Sequence, residues 1–286
     1  MVQKINVLPI INTSYKTFTK SEKMVAELVV KDPRHILYSS ITDLAYEAKV
    51  GETTVLRFCR KIGFNGYQSF KMTLAQSIQI DDGMSEQLSD EITKEDTLIE
   101  VSKKILNVNI GALNETFQLL DYRELKKAID YLFYAKRIVF FGVGSSAVTA
   151  CEAKNKFIRI RPNVEATFDA HIQSMIASLM DSEDIAVGFS YSGSTKDTVD
   201  VMKLAKNNGS KTICITRFAK SPITKYADVV LLVGAKEGPF QGGSLSTKMA
   251  QLYMIDILYT EYFRKNSELA KENKERTSSS ISDKMY

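Results

Sequence analysis

The sequence predicts an α/β protein built from an all-α amino-terminal domain and a carboxy-terminal five-stranded parallel sheet sandwiched between helices. Three observations favour this fold class. Apolar residues recur at helical spacing in residues 1–78, a polar and charged stretch at 79–105 predicts a linker, and five short apolar runs then alternate with helical patterns. Strands that alternate with helices are typical of a parallel sheet covered on both faces. The five predicted strands are Arg137 to Phe141, Val164 to Phe168, Ile185 to Phe189, Thr212 to Ile215 and Val229 to Val233.

The composition narrows the classes of protein that the chain can belong to. Its 286 residues, 44% hydrophobic and 25% charged, suffice for two globular domains. No apolar run approaches the roughly 18 to 20 residues that cross a bilayer, so we expect a cytoplasmic protein without a membrane partner. Three scattered cysteines and two histidines without a C-x-x-C pair are a poor basis for a disulfide framework or a metal site. We therefore expect no metal and no cofactor.

Helix start and stop signals divide the first 78 residues. A helix begins near Thr19 and stops at Asp32-Pro33, and a second begins after Ser39 or Ser40. A short turn at Lys49-Val50-Gly51 leads into a third helix, Glu52 to Ile62, which ends at Gly63 because glycine adopts the left-handed conformation readily. Helix, tight turn and helix are the outline of a helix-turn-helix motif.

The amino-terminal part of the last helix of such a motif enters the major groove of DNA. The first 78 residues carry 11 Lys and Arg against 6 Asp and Glu, which favours a polyanion as partner. A helical dimerisation or lid element remains the alternative. The predicted contacts with base edges or phosphates are Thr53, Thr54, Arg57, Arg60, Lys61 and Lys71.

Two hydroxyl-rich turns follow predicted strands and precede predicted helices. One is Ser190 to Thr195 and the other Gly142 to Ser146. A turn of this kind aims backbone N–H groups and the positive end of a helix dipole at one point, where a phosphate can bind. Together the two turns favour a phosphorylated small molecule. Two alternatives stay open, namely that Ser and Gly only cap helices, and that the relaxed G-x-G-x-x-A pattern ending at Ala147 binds a dinucleotide.

The segments Ser40 to Ala45 and Val50 to Lys71 closely resemble the amino-terminal domain of RpiR-family bacterial transcription regulators. One departure is Gly51, where the family usually carries Ser. Glycine is still acceptable as an N-cap, but a hydroxyl contact with DNA from that position is lost.

Residues 106–265 resemble the SIS, or sugar isomerase, domain, which has a flavodoxin-like fold and binds phosphosugars. The resemblance rests on the two hydroxyl-rich turns, on Ile215-Thr216 and on Ser221-Pro222. Ser194 occupies a position that is often acidic in SIS proteins. The effector-binding residues that the turns and this resemblance imply are Gly144, Ser145, Ser146, Ser190, Ser192, Gly193, Ser194, Thr195 and Glu237.

These observations predict a regulator of sugar or amino-sugar metabolism that is not an enzyme. It would bind a double-stranded DNA operator as a homodimer or homotetramer, and a phosphosugar effector would modulate that binding. The main alternative is a phosphosugar isomerase or lyase with an accessory helical domain, for which Glu152 and Glu237 are the candidate bases. A non-DNA adaptor is a third possibility. Residues 266–286 are rich in Lys, Glu and Ser, so we expect a disordered tail.

Overall fold

The computed structural model describes residues 7–81, 92–235 and 245–284. The chain divides into two compact units, with the boundary between Ile105 and Leu106. No helix among the described residues is long and apolar enough to cross a membrane.

The first unit is helical up to residue 81, as predicted. Its aromatic core joins Phe18, Phe58 and Phe70, with ring centroids 5.3 and 5.9 Å apart in consecutive pairs. The backbone N–H of Val7 donates to the Ser77 hydroxyl at 2.9 Å, which holds the first helix against the last. The helices are α1 (Val7–Ser14), α2 (Lys20–Lys31), α3 (Pro33–Tyr38), α4 (Ile41–Glu47), α5 (Glu52–Lys61) and α6 (Tyr67–Asp81).

Side-chain caps fix where these helices begin. Thr19 and Glu22 form a reciprocal capping box at the start of α2. Ser40 and Asp43 form the same device at the start of α4, so both predicted starts are confirmed. Pro33 does end the run before it, but it is also the first residue of α3, whose presence the sequence analysis missed.

The predicted helix-turn-helix motif is confirmed in α4, its following turn and α5. Lys49 has a positive φ of 53°, and the Val50 N–H donates to the Ala45 carbonyl at 2.9 Å, which closes the turn. Gly51 is the N-cap of α5. Gly63, with φ of 93°, turns the chain after α5, as its position predicted.

Helices occupy both ends of the predicted linker. Helix α6 continues to Asp81, and α7 (Leu98–Gln118) begins well before residue 105. Thr97 and Glu100 hydrogen-bond each other's backbone N–H groups at the start of α7. The central part of the predicted linker, 82–91, lies outside the described residues.

The second unit contains the predicted parallel sheet of five strands, in the order β2-β1-β3-β4-β5. The strands are β1 (Arg137–Gly142), β2 (Val164–Ala166), β3 (Asp184–Phe189), β4 (Lys211–Thr216) and β5 (Val229–Leu232). The helices are α8 (Tyr122–Tyr134), α9 (Ser145–Phe157), α10 (Ala170–Ser178), α11 (Lys196–Asn207) and α12 (Leu245–Lys265). This strand order is the one found in flavodoxin-like folds.

Alternate residues of β1, β3, β4 and β5 pack into two separate cores, one on each face of the sheet. Phe140 and Val187 belong to the core formed with α8, α9 and α12. Val139 and Phe141 belong to the core formed with α10 and α11. The period of two along β1 therefore buries both faces, which explains its uninterrupted apolar sequence.

The predicted disordered tail is wrong for residues 267–279, which form helix α13 (Ser267–Ser279). Ala270 is fully buried, and the Asn273 side chain donates to the Ile160 carbonyl at 3.1 Å. The Thr277 hydroxyl donates to the Arg159 carbonyl at 3.1 Å. Because polar groups make most of these contacts, the composition of the segment does not reveal that it packs against residues 159–160 of the same unit.

Candidate functional sites

The strand order brings the two predicted hydroxyl-rich turns together. Strands β1 and β3 are neighbours, and Gly142 at the end of β1 is in register with Phe189 at the end of β3. Helix α9 packs on one face of the sheet and α11 on the other. The turns after β1 and β3 therefore open a crevice at the carboxyl edge of the sheet, where ligands bind in folds of this type.

Small residues shape the turn after β1. A side chain at Gly142 would place its Cβ 2.7 Å from the Ser146 carbonyl oxygen, so the close approach requires glycine. Gly144 has a φ of 60° and is the N-cap of α9, where no side chain of the described residues forms a capping hydrogen bond. Ser145 and Ser146 are half-buried in the first turn of α9. The Ser146 and Ala147 N–H groups donate to the Val143 and Gly144 carbonyls at 3.2 and 3.1 Å, so α9 begins with a tight turn at the edge of the crevice.

The turn after β3 has a similar arrangement. Ser190 is buried, and its hydroxyl lies 3.4 Å from the Thr195 hydroxyl. The Ser194 N–H donates to the Ser192 hydroxyl at 3.2 Å, while the Ser194 hydroxyl donates back to the Ser192 carbonyl at 3.2 Å. Thr195 is the N-cap of α11, and in the described structure its side chain makes no capping hydrogen bond.

Gly193 anchors this turn to the segment after β4. Its φ is 61°, and its carbonyl accepts from the Ile223 N–H at 2.9 Å. A Cβ at this position would lie 2.0 Å from the Ser221 hydroxyl and 3.1 Å from that of Thr216. The Thr216 hydroxyl also donates to the Tyr191 carbonyl at 3.2 Å. Thr216 and Ser221 therefore support the turn, a role that the sequence analysis did not assign to them.

Two helix amino termini flank one crevice, and this geometry suits an anion. The first N–H groups of a helix have no partner within the helix, and the helix dipole places positive potential there. Helices α9 and α11 approach from opposite faces of the sheet, so their dipoles add at the crevice. The arrangement can bind a phosphate group, while the serine and threonine hydroxyls supply further hydrogen bonds.

A buried amide connects the β1 turn to α10. The Gln173 Nε2 donates to the Gly142 carbonyl and to the Thr167 carbonyl, both at 2.8 Å. Since these two acceptors fix which end of the amide donates, the Oε1 atom is an acceptor, and it has no partner among the described residues. Gln173 was not predicted as a site residue, because a single glutamine in an apolar helix gives no local signal.

Other candidate groups lie in different settings. Glu237 falls outside the described residues. Glu152 is half-buried in α9. Burial raises the pKa of the Cys59 and Cys214 thiols to about 12, which fits residues that pack rather than react. In the described parts of the chain, no group of three His, Cys, Asp or Glu residues could hold a metal ion.

The predicted DNA-binding residues divide into two groups. Thr53, Arg57 and Arg60 are exposed and lie at positions i, i+4 and i+7 of α5, so they share one face. Thr54 is buried, contrary to expectation, and accepts from the Arg57 Nη2 at 3.4 Å.

Lys61 and Lys71 are engaged within the first unit, whereas we expected them to face phosphates. The Lys61 Nζ donates to the Thr17 carbonyl at 2.6 Å and to the Glu22 carboxylate at 2.9 Å. The Lys71 Nζ donates to the Ser39 carbonyl at 3.0 Å, and burial lowers the pKa of Lys71 to about 8. Lys61 therefore ties α5 to α2, and Lys71 holds the residue before the N-cap of α4.

Comparisons with known proteins agree with this division of the chain. A family model for the helix-turn-helix domain of the rpiR family matches residues 5–81, and one for the SIS domain matches 131–261. An uncharacterised HTH-type transcriptional regulator of Haemophilus influenzae is 38% identical over 278 residues, covering 97% of this chain and 96% of that protein. The HTH-type transcriptional regulator HexR of Pseudomonas aeruginosa is 34% identical over 255 residues, with 89% and 88% covered. The NanR protein of Vibrio vulnificus, solved with ManNAc-6P, is 25% identical and has a TM-score of 0.86 over 98% of this chain and all of that one.

Replacing Gly193 by Ala should destabilise the second unit more than replacing Gly209. Both residues have positive φ, 61° and 92°, so each alanine costs about 1–2 kcal/mol in backbone conformation. Only at Gly193 does the new Cβ also meet the Cβ of Ser221, at 2.5 Å, which rotation of the hydroxyl cannot relieve. At Gly209 the nearest atom is 3.8 Å away. Urea unfolding of both variants measures the difference, and equal midpoints would contradict the predicted clash.

The free energy of unfolding of the wild type, minus that of Lys71→Met, should increase as the pH rises above about 8. Burial lowers the pKa of Lys71 to about 8, from 10.5 ordinarily. Between these values the unfolded chain binds a proton that the folded chain does not, so the lysine's contribution to the free energy of unfolding rises with pH. Denaturant unfolding at pH 7.5 and 9.5 tests this, with exposed Lys20→Met as control. A pH-independent difference would show that Lys71 titrates normally.

Proposed function

The chain belongs to the rpiR family of helix-turn-helix proteins with a SIS domain, and on this basis we propose that it is a bacterial transcription regulator of sugar or amino-sugar metabolism. In this proposal α5 binds an operator in double-stranded DNA, and the crevice between the β1 and β3 turns binds a phosphosugar effector. The observation that carries the proposal is the convergence of two helix amino termini on one crevice lined by hydroxyl groups.

The crevice supports a phosphate monoester as the bound group. A monoester has three oxygens that accept hydrogen bonds, and the first turns of α9 and α11 offer backbone N–H groups from two directions. The hydroxyls of Ser145, Ser146, Ser192 and Thr195 supply further donors from the same two turns. NanR was solved with ManNAc-6P, so a phosphorylated amino sugar is the natural first probe.

The exposed face of α5 supports DNA binding. Thr53 and Arg57 lie in its first two turns, the part of a recognition helix that reaches base edges. Arg60 lies one turn further on, where a guanidinium can pair with phosphate. Because one such helix reads one half-site, we propose that two copies of the chain bind two half-sites related by two-fold symmetry.

Binding without turnover is part of the proposal. The relatives that match this chain over nearly its whole length are named transcriptional regulators, although SIS domains also occur in isomerases. Among the described residues, the groups that converge at the crevice are hydroxyls and backbone N–H groups, which bind anions but do not remove a proton from carbon at neutral pH.

A sugar phosphate that binds in the crevice should stabilise the wild-type protein but not the variant carrying both Ser145→Ala and Ser192→Ala. At 100 times its Kd, a ligand adds about 2.7 kcal/mol to the stability of the protein that binds it. Thermal-shift measurements with ManNAc-6P and a panel of other sugar phosphates test this, and Ser178→Ala, an exposed hydroxyl of α10, is the control. A shift retained in the double variant would place the site elsewhere, and conversion of the sugar phosphate would favour the isomerase alternative.

Arg57→Ala and Arg60→Ala should weaken DNA binding, whereas Lys61→Met should not change its salt dependence. Each lost phosphate contact lowers the slope of log K against log salt by about 0.9, and a lost base contact costs about 1–3 kcal/mol. Fluorescence anisotropy on a duplex selected from a random pool by the wild type measures both quantities. Lys61→Met removes one positive charge, as each arginine variant does. Because the Lys61 ammonium already pairs with Glu22, we expect this variant to lose no contact with DNA. If only Lys61→Met lowered the salt slope of DNA binding, the assignment of Arg57 and Arg60 as DNA contacts would be overturned.

A further inference from the structure

A carboxylate lies at the amino-terminal end of α5. Glu52 is the first residue of this helix and the acidic residue of its first turn. Its side chain is half-buried, and the Oε1 atom accepts from the hydroxyl of Thr42, in α4, at 2.9 Å. The Oε2 atom has no hydrogen-bond partner among the residues that the structure describes. The start of α5 therefore presents a strong acceptor whose orientation is already fixed.

The other two carboxylates of the helix-turn-helix motif are engaged within the fold. Asp43 accepts from the backbone N–H and the hydroxyl of Ser40 and completes the cap of α4. Glu47 hydrogen-bonds the Nε2 atom of His35 at 3.0 Å. Glu52 differs from both, because its bond to Thr42 leaves one carboxylate oxygen for a ligand.

The position of Glu52 is unusual for an acidic residue on a surface that binds DNA. A carboxylate repels the phosphate backbone, so it weakens the binding of every DNA sequence unless it bonds to a base. The first residues of a recognition helix are the ones that reach base edges in the major groove. Glu52 is therefore placed where a base can compensate for this repulsion.

The chemistry of the major groove narrows the choice of base. The hydrogen-bond donors there are the N4 amino group of cytosine and the N6 amino group of adenine. The adenine amino group lies beside N7, an acceptor whose lone pair repels a carboxylate. The cytosine amino group has a C–H group as its neighbour on the same base. A carboxylate consequently favours cytosine over adenine.

We propose that Glu52 recognises a cytosine in each operator half-site, with its Oε2 atom accepting from the N4 amino group. Thr42 is a positioning residue in this contact. Its hydroxyl restricts the rotation of the carboxylate, so less entropy is lost when the base is bound. The inference rests on the proposed binding of DNA by α5 and adds the base that one of its residues recognises.

The experiment selects duplexes from a random pool with the full-length wild type, Glu52→Gln and Glu47→Gln. Glu52→Gln should replace a cytosine of the wild-type half-site by adenine, because a glutamine amide can bond to both N6 and N7 of adenine. Fluorescence anisotropy on the two duplexes should show a change of at least about 10-fold in the ratio of their Kd values. Glu47→Gln removes the same charge from an exposed position of α4 and should keep the cytosine.

A second measurement does not depend on the folding of a variant. Each cytosine of the wild-type duplex is replaced in turn by 2-pyrimidinone, which lacks the N4 amino group. The wild type should bind one of these duplexes at least about 10-fold more weakly, and Glu52→Ala should not distinguish that duplex from the parent. Thr42→Val keeps the shape of the side chain without its hydroxyl and should lower the preference for cytosine while leaving cytosine the preferred base.

Three results would contradict the inference while leaving the proposed function intact. They are unchanged base preferences in a folded Glu52→Gln, a wild type that tolerates the loss of every cytosine amino group, and a sensitivity to that loss that persists in Glu52→Ala. A wild type that enriches no sequence at all would instead overturn the proposed DNA binding, and this inference with it.

Discussion

The pairing of β1 with both β2 and β3 is the constraint on which the candidate effector site depends. After β2 pairs with one edge of β1, β3 must pair with the other edge. Because parallel crossovers are right-handed, this reversal places α9 and α11 on opposite faces of the sheet. Their amino termini then face one crevice from two sides. A strand order without this reversal would separate the two hydroxyl-rich turns by at least one strand.

Close backbone approaches hold these turns in place. Gly142 packs against the carbonyl of Ser146, and Gly193 packs against Ser221. Both contacts leave no room for a Cβ, so the turns are defined by packing with their neighbours as well as by their own hydrogen bonds. Binding sites need such support, since hydrogen-bond donors that are already oriented lose little entropy when the ligand arrives.

The features that the sequence predicted are those with local causes. The capping residues Thr19 and Ser40 and the apolar runs of the strands act through neighbours in the chain, so a single sequence shows them. The features that it missed depend on distant partners. Lys61 bonds to a carbonyl 44 residues away and Lys71 to one 32 residues away. The sequence therefore predicted that both lysines contact phosphate and that the segment of α13 is disordered, because their partners come together only in the folded chain.

The phosphate contacts of the crevice would not by themselves give a regulator its response. A ligand shifts an equilibrium only by its difference in affinity for the two states. Helix amino termini attract a phosphate in any state that keeps α9 and α11 in place, so their contribution is largely uniform. The differential part has to come from a group that joins the β1 turn to something outside the site. Gln173 is such a group, since it bonds to Gly142 from α10, a helix that belongs to neither turn. A response of the proposed regulator to its effector would therefore act through α10, and DNA would affect effector affinity by the same factor.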